Sequence, residues 1–264
     1  MFKPFIPSFT EVTMQENEMK SPAKSVVQVY FPAKGTKLAY FNERFDLQVG
    51  DIVYVEGKLE GLRGQVVDVA HNFKIKVSEY KRVIGKADTA VSGTLHMAGS
   101  HFVAFEPGII PFEKVLTWYK APEKEDDEYV TGNDDTAFFL DDLSGMHIGS
   151  EIAERGHDYY LQNKVCYLCI DGNRGRAIVE GTKAYVVEFT YEDSQIRNLV
   201  CDCFCSYTCK HEFAAMLQLK ETLQAIKENY PDQLTGYFAA VSKASFFNFV
   251  VDGKKTGSLV LSNK

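Results

Sequence analysis

Eleven residues, Cys201-Asp-Cys203-Phe-Cys205-Ser-Tyr-Thr-Cys209-Lys-His211, hold four of the chain's six cysteines and one of its six histidines. Soft ligands packed this densely restrict how the backbone around them can run. Thiolate and imidazole are the groups a closed tetrahedral zinc site takes, and a structural site takes four. A helical pattern starts immediately afterwards: Phe213, Met216, Leu217, Leu223 and Ile226 recur at helical spacing, and Tyr230-Pro231 ends the run near Asn229. Thr208 is the residue type expected to cap that helix. Cys209 and His211 would then lie two apart on the first turn and converge on one ion if the preceding loop folds back. The plain alternative is a cluster of buried free thiols. A disulfide fits less well, because Cys201 and Cys203 are too close along a strand for unstrained geometry.

Composition sets the frame for that site. The chain has 264 residues, 45% apolar and 25% charged, as in ordinary globular proteins, and no run approaches a membrane span. The opening Met-Phe-Lys-Pro-Phe-Ile-Pro interrupts any apolar signal core with prolines. Unpaired clustered cysteines without a secretory signal point to a reducing cytoplasm and to metal rather than disulfides. The net charge of −7 is local in origin. Residues 1–120 carry 15 basic and 13 acidic side chains, residues 121–148 carry 1 and 9, and the remainder 13 and 14. A run such as Glu123-Lys-Glu125-Asp126-Asp127-Glu128 reads as a solvated linker. Its alternative is a docking segment for a basic partner, built around Phe138-Phe139-Leu140.

Five segments follow from these shifts: an arm over 1–24, a β-rich barrel-like domain over 25–120, an acidic linker over 121–147, a zinc-binding domain over 148–229, and a carboxy-terminal hairpin extension over 230–264. The expected fold class is α+β. Short strands punctuated by Gly or Asp run through Val26–Phe31, Leu38–Phe41, Val49–Val55 and Gly61–Val69. The Gly50-Asp51 turn, Val53 and Val55, Gly61 and Gly64, then Val66 and Val69 resemble a KOW-like, Src-homology-3-like barrel over about 25–87. The alternation Phe73-Lys74-Ile75-Lys76-Val77 predicts a strand with Lys74 and Lys76 on one face. With Arg82 and Lys86, and with Arg174 and Arg176 at a hairpin tip, these are the candidate nucleic-acid contacts. The alternative for them is a solvated edge-strand face. Thr89–Tyr119, with His96, His101 and Trp118, reads as irregular and β-rich, its histidines structural. Lys164–Ile170 and Arg176–Glu180 flank Asp171-Gly172-Asn173, a hairpin signal. Cys166 and Cys169 on the first of these strands point oppositely, as core thiols. Phe246–Val251 and Ser258–Leu261 predict a last hairpin around Asp252-Gly253.

Cys-x-Cys, a short gap, Cys-x-His and an apolar helix together resemble the SWIM zinc-finger domain. Upstream, Gly156-His-Asp-Tyr159-Tyr160, Val165, Asp171-Gly172, Ala177-Ile-Val179, Gly181-Thr182 and Tyr185-Val-Val187 resemble that family's strand-rich lead-in. The likeness covers about residues 148–226. Family members commonly have Pro after the second cysteine and six or more residues before the third; here Phe204 stands there and the gap is five. The resemblance implies one structural zinc, with Cys201, Cys203, Cys209 and His211 as ligands. A second register replaces Cys201 with Cys205 and leaves only three residues of loop. The family likeness also implies binding to DNA, more than RNA, or to a protein partner such as a helicase, in an accessory role.

No phosphate-binding loop, nucleophile elbow or deaminase pattern occurs, and four soft ligands leave a zinc no open position for water. The expectation is therefore a non-enzymatic zinc module without a small-molecule substrate. The alternative is a zinc-thiolate redox sensor using Cys205 and the metal cysteines.

Overall fold

The computed structural model describes residues 23–123, 130, 132, 136–205, 207–251 and 259–262. Most of the arm, the run from residue 124 to 129, Asp134, Asp135 and the Asp252-Gly253 turn lie outside the described residues. The chain is α+β, as its alternation of short strands with one long helical pattern predicts.

Strands β1 (Ser25–Phe31), β2 (Thr36–Asn42), β3 (Ile52–Val55), β4 (Gly64–Ala70) and β5 (Val83–Lys86) form one antiparallel sheet in the order β2-β1-β4-β3-β5. Strict alternation along β1 buries Val27, Val29 and Phe31 against Tyr40, Val53, Val55 and Val66. The two outer strands meet: Phe41 bridges to Arg82, and its N–H donates to the Lys81 carbonyl at 2.9 Å. The sheet thus curls towards closure, which protects both edges. Residues 73–76 are not a strand. Phe73 and Ile75 turn inward, Lys74 and Lys76 stay exposed, and a short 3₁₀ turn, Val77–Glu79, follows.

The second sheet is larger and departs from the expected division of the chain. It contains β6 (Gly93–Ala98), β7 (His101–Ala104), β8 (Ala137–Phe139), β9 (Val165–Asp171), β10 (Arg174–Glu180), β11 (Ala184–Glu192), β12 (Gln195–Cys201), β13 (Tyr237–Ser242) and β14 (Leu259–Ser262). Their order is β14-β6-β7-β13-β9-β10-β11-β12-β8. Residues 93–104, expected in the amino-terminal domain, join this sheet instead: β6 pairs with β7 and β7 with β13, because their apolar faces complete its core. The acidic segment contributes too: β8 pairs with β12, and Phe138 and Leu140 are buried in the chain's own core. Those two side chains are therefore not free to dock a partner. The final hairpin is also replaced. Phe246–Val251 is helical, and β14 runs parallel to β6.

Helices cover both faces of this sheet. On one side α3 (Lys210–Asn229) lies against β9 to β12, with α2 (Ser150–Leu161) beside it. On the other, α1 (Phe112–Tyr119) and α4 (Lys243–Phe246), with the turn after it, bury Trp118, Phe246 and Phe249. The segment ending at Tyr119, expected as irregular β-structure, thus finishes in a helix. The β9–β10 hairpin forms as predicted, turning at Gly172 with φ +61°, where glycine is favoured. Its register shifts between Val165 and Tyr167, so one extra residue is accommodated in β9. That bulge reverses the expected parity: Cys166 and Cys169 both join the core on the α1 side. Arg63, from the loop before β4, ties the two sheets together. It pairs with Glu180 at 3.1 Å and lies over the rings of Tyr119 and Phe249. Among the described residues no helix is long and apolar enough to cross a membrane.

Candidate metal centre

The site lies where β12 ends and α3 begins. Cys201 is the last residue of β12, Cys203 sits in the loop, Cys209 caps α3 and His211 is on its first turn. Asp202 fixes the loop's path. Its Oδ1 accepts the Val186 N–H at 2.8 Å, its own N–H donates to the Val186 carbonyl at 3.0 Å, and Oδ2 pairs with Lys120 at 2.7 Å. Cys209, not Thr208, is the N-cap. Its thiol accepts a backbone N–H from the first turn, while the Glu212 carboxylate accepts the Cys209 N–H at 2.6 Å. The reciprocal box satisfies two helix-end donors and sets the Cys209 side chain facing the loop.

One ligand atom from each of Cys201, Cys203, Cys209 and His211 lies within 4.8 Å of the others. His211 Nδ1 is 3.6 Å from Cys209 Sγ and 3.8 Å from Cys201 Sγ. Metal bonds of ordinary zinc length arranged tetrahedrally put sulfur and nitrogen about 3.6 Å apart, so these separations suit a single ion. The Cys₃His cluster can hold a metal. Cys205 is exposed and falls outside the converging four, although it lies close enough to hydrogen-bond with Cys203.

The thiols divide unequally. A hydrogen bond from Cys201, the histidine and the start of α3 draw the Cys209 pKa down to about 3 against the cost of burial. The same hydrogen bond from Cys209, burial and the neighbouring sulfurs hold Cys201 far above the usual thiol range, and burial leads in pushing Cys203 up to about 12. Three thiolates this close repel one another, so full ionisation needs a cation among them.

His211 is 4% exposed and held by aromatic rings. Tyr185 stacks on it at 4.2 Å and 21°, and Tyr159 approaches edge-on at 5.5 Å. Tyr185 is itself fixed by a 3.0 Å hydrogen bond between its hydroxyl and Thr182. Nε2 has no hydrogen-bond partner among the described residues; Gly181 leaves room beside it, and a Cβ there would sit 3.4 Å away. This supporting layer is the part that ligand spacing did not identify. Tyr159, Gly181 and Tyr185 were visible in the sequence only as parts of a family-like lead-in, and Tyr159 sits on α2. A cleft of about 730 Å³ opens beside the cluster between α1 and β11–β12, with Cys201, Cys205 and Tyr207 in its wall.

Five of the six candidate nucleic-acid cations are already engaged in ion pairs. Lys76 pairs with Glu79 at 3.2 Å, Arg82 with Glu43 at 3.1 Å, Lys86 with the buried Asp51 at 2.9 Å, and Arg174 with Glu188 at 2.6 Å. Arg176 is 13% exposed, pairs with Glu113 at 2.7 Å and lies 4.1 Å over the Phe112 ring. It belongs to the packing between α1 and β10 rather than to a hairpin tip. Only Lys74 lacks an ion-pair partner among the described residues.

No family model matches the chain, and no curated protein or solved structure matches it either.

Proposed function

We propose that this protein is a zinc-held interaction module of the SWIM type, non-enzymatic, acting as a cytoplasmic accessory to a nucleic-acid or protein partner. The observation that carries the reading is the convergence of three sulfurs and one imidazole nitrogen, with spacings that fit one tetrahedral zinc. With Cys201, Cys203, Cys209 and His211 all engaged, zinc would keep no position for a reacting water, so its role is structural. The curled five-stranded sheet is compatible with a KOW-like barrel beside the zinc domain. Ion pairing across its cations and at Arg174 and Arg176 argues against those residues as the main contact surface.

The test is metal content. Purified protein should carry one zinc per chain, Cys205→Ser should keep it and Cys209→Ser should lose it. Serine is itself a good helix cap, so the second variant removes the ligand while leaving α3 its start. Zinc absent from all three proteins, or lost with Cys205 rather than Cys209, would overturn the assignment.

The exposure of Cys205 next to Cys203 favours a redox sensor as the second reading. Peroxide would convert the Cys205 thiolate to a sulfenic acid, releasing hydroxide. Attack by the Cys203 thiolate would then form a disulfide, release a second hydroxide and remove one ligand from the metal. Zinc release by peroxide that a thiol reductant reverses, absent in Cys205→Ser, distinguishes it.

A further inference from the structure

Nδ1 of His211 faces the cluster, 3.6 Å from Cys209 Sγ and 3.8 Å from Cys201 Sγ, so a metal there takes the lone pair of that nitrogen. The ring proton then belongs on Nε2, at the other edge of the imidazole. That edge is buried, and Nε2 has no hydrogen-bond partner among the described residues. A metal-ligating histidine almost always donates its other N–H to an acceptor that fixes the ring and raises its basicity. Tyr185 is not that acceptor, because it covers the face of the ring and its hydroxyl is engaged with Thr182. Gly181 points to another. A Cβ built on it would lie 3.4 Å from Nε2 and 3.4 Å from Tyr159 Oη, so nitrogen and oxygen border one hollow and are at most twice that distance apart. The φ of Gly181 is not in the left-handed region, so the backbone does not demand glycine there; what the glycine provides is the space.

We propose that Tyr159 positions the metal ligand His211: Nε2–H donates to one water lodged against Gly181, and that water donates to Tyr159 Oη. The two atoms make no direct hydrogen bond, but their common hollow brings them within reach of a single bridging water, which needs two polar partners and finds both here. Tyr159 is only half-buried, so water reaches its side of the hollow. Its ring is held edge-on to His211 at 5.5 Å, with Lys210 Nζ 4.7 Å over its face, which keeps the hydroxyl aimed. The relay favours the tautomer with the proton on Nε2 and so leaves Nδ1 open to the metal. Packing alone would account for the ring of Tyr159. A phenylalanine would pack as well, however, and would give no use for a hollow beside Nε2. The inference rests on the zinc reading, since it concerns that ion's histidine.

Zinc affinity by chelator competition and nitrogen NMR spectra of the histidine rings test it on the full chain. In zinc-loaded wild type the His211 ring should show Nδ1 on the metal and a slowly exchanging proton on Nε2. Tyr159→Phe removes one oxygen and keeps the ring. It should lose about ten-fold in zinc affinity, speed exchange of that proton, and leave the thermal midpoint of the metal-free protein unchanged. Gly181→Ala should lose affinity similarly by filling the hollow. Its Cβ would also stand 3.1 Å from Tyr185 Cε2, so the tyrosine variant is the decisive one. Tyr159→Phe that binds zinc as tightly as wild type, or whose Nε2 proton exchanges no faster, would overturn the relay and leave the metal centre standing. So would coordination through Nε2, or a metal-free midpoint that falls in step with the affinity. Wild type that carries no zinc would take down both.

Discussion

His101 shows what a single buried side chain contributes. It is fully buried in β7, with Nε2 donating to the Val165 carbonyl at 2.8 Å and Nδ1 accepting from Ser100 Oγ at 2.9 Å. Burial lowers its pKa from 6.5 to about 4; the hydrogen bond to Val165 acts against this and Lys243 acts with it. Between those values the unfolded chain takes a proton that the folded chain refuses. Stability is therefore complete above pH 6.5 and falls as the pH drops towards 4, by up to about 3 kcal/mol from this group. Urea midpoints of wild type and His101→Gln between pH 7.5 and 4.5 should diverge in slope, the variant being flatter. Their difference cancels whatever metal release adds to both, and parallel slopes would remove His101 from the account. This histidine was readable as structural in the sequence, since no cysteine or carboxylate neighbours it there. The candidate ligands near residue 201 were readable for the opposite reason: all four lie within eleven residues. Tyr159 and Tyr185 were not, because they reach His211 from 52 and 26 positions away along the chain.

Among the elements, the α2–α3 pair governs how well the site is aimed. Gly156 is buried in the middle of α2, where glycine normally costs about 1 kcal/mol relative to alanine. A Cβ there would meet the Lys210 carbonyl at 2.9 Å and Phe213 at 2.9 Å, so glycine lets the helices approach. Gly156→Ala should lower the thermal midpoint despite its better helix propensity, since overpacking costs about 1–3 kcal/mol. It should also weaken zinc binding, because Lys210 and His211 share the displaced turn. A raised midpoint with unchanged zinc affinity would show that the contact is not tight. Long patterns such as α3 and the β9–β10 hairpin were legible because their signals are local. The bulge in β9 was not: parity along a strand is predictable only while the register holds, and the register is set by β10. The helix α2 was missed because its tyrosines and glycine suit a strand equally well, and packing on α3 decides.

At the scale of the molecule, the metal's influence should follow sheet membership rather than the expected segment boundaries. Structural zinc contributes on the order of 10 kcal/mol of apparent binding free energy in small peptides, as much as a domain's whole stability. Chelation should therefore raise amide exchange first at the start of α3 and along β11–β12, then through the nine-stranded sheet, including residues 93–104. The five-stranded sheet should keep its protection, having its own core. Equal loss in both sheets, or loss confined to 148–226, would refute this. Strand order was the least legible property because it rests on partners far apart: β13 meets β7 across more than 130 residues. That placement bears on how the chain is made. The seventh and ninth strands leave the ribosome with no neighbour between them, and the one that joins them is synthesised late. At about 5–20 residues per second the gap lasts seconds to tens of seconds, during which two unsatisfied edges coexist on the nascent chain. A frameshift or stop before residue 237 would make that condition permanent, leaving the five-stranded sheet folded and the remainder prone to pair with other copies of itself.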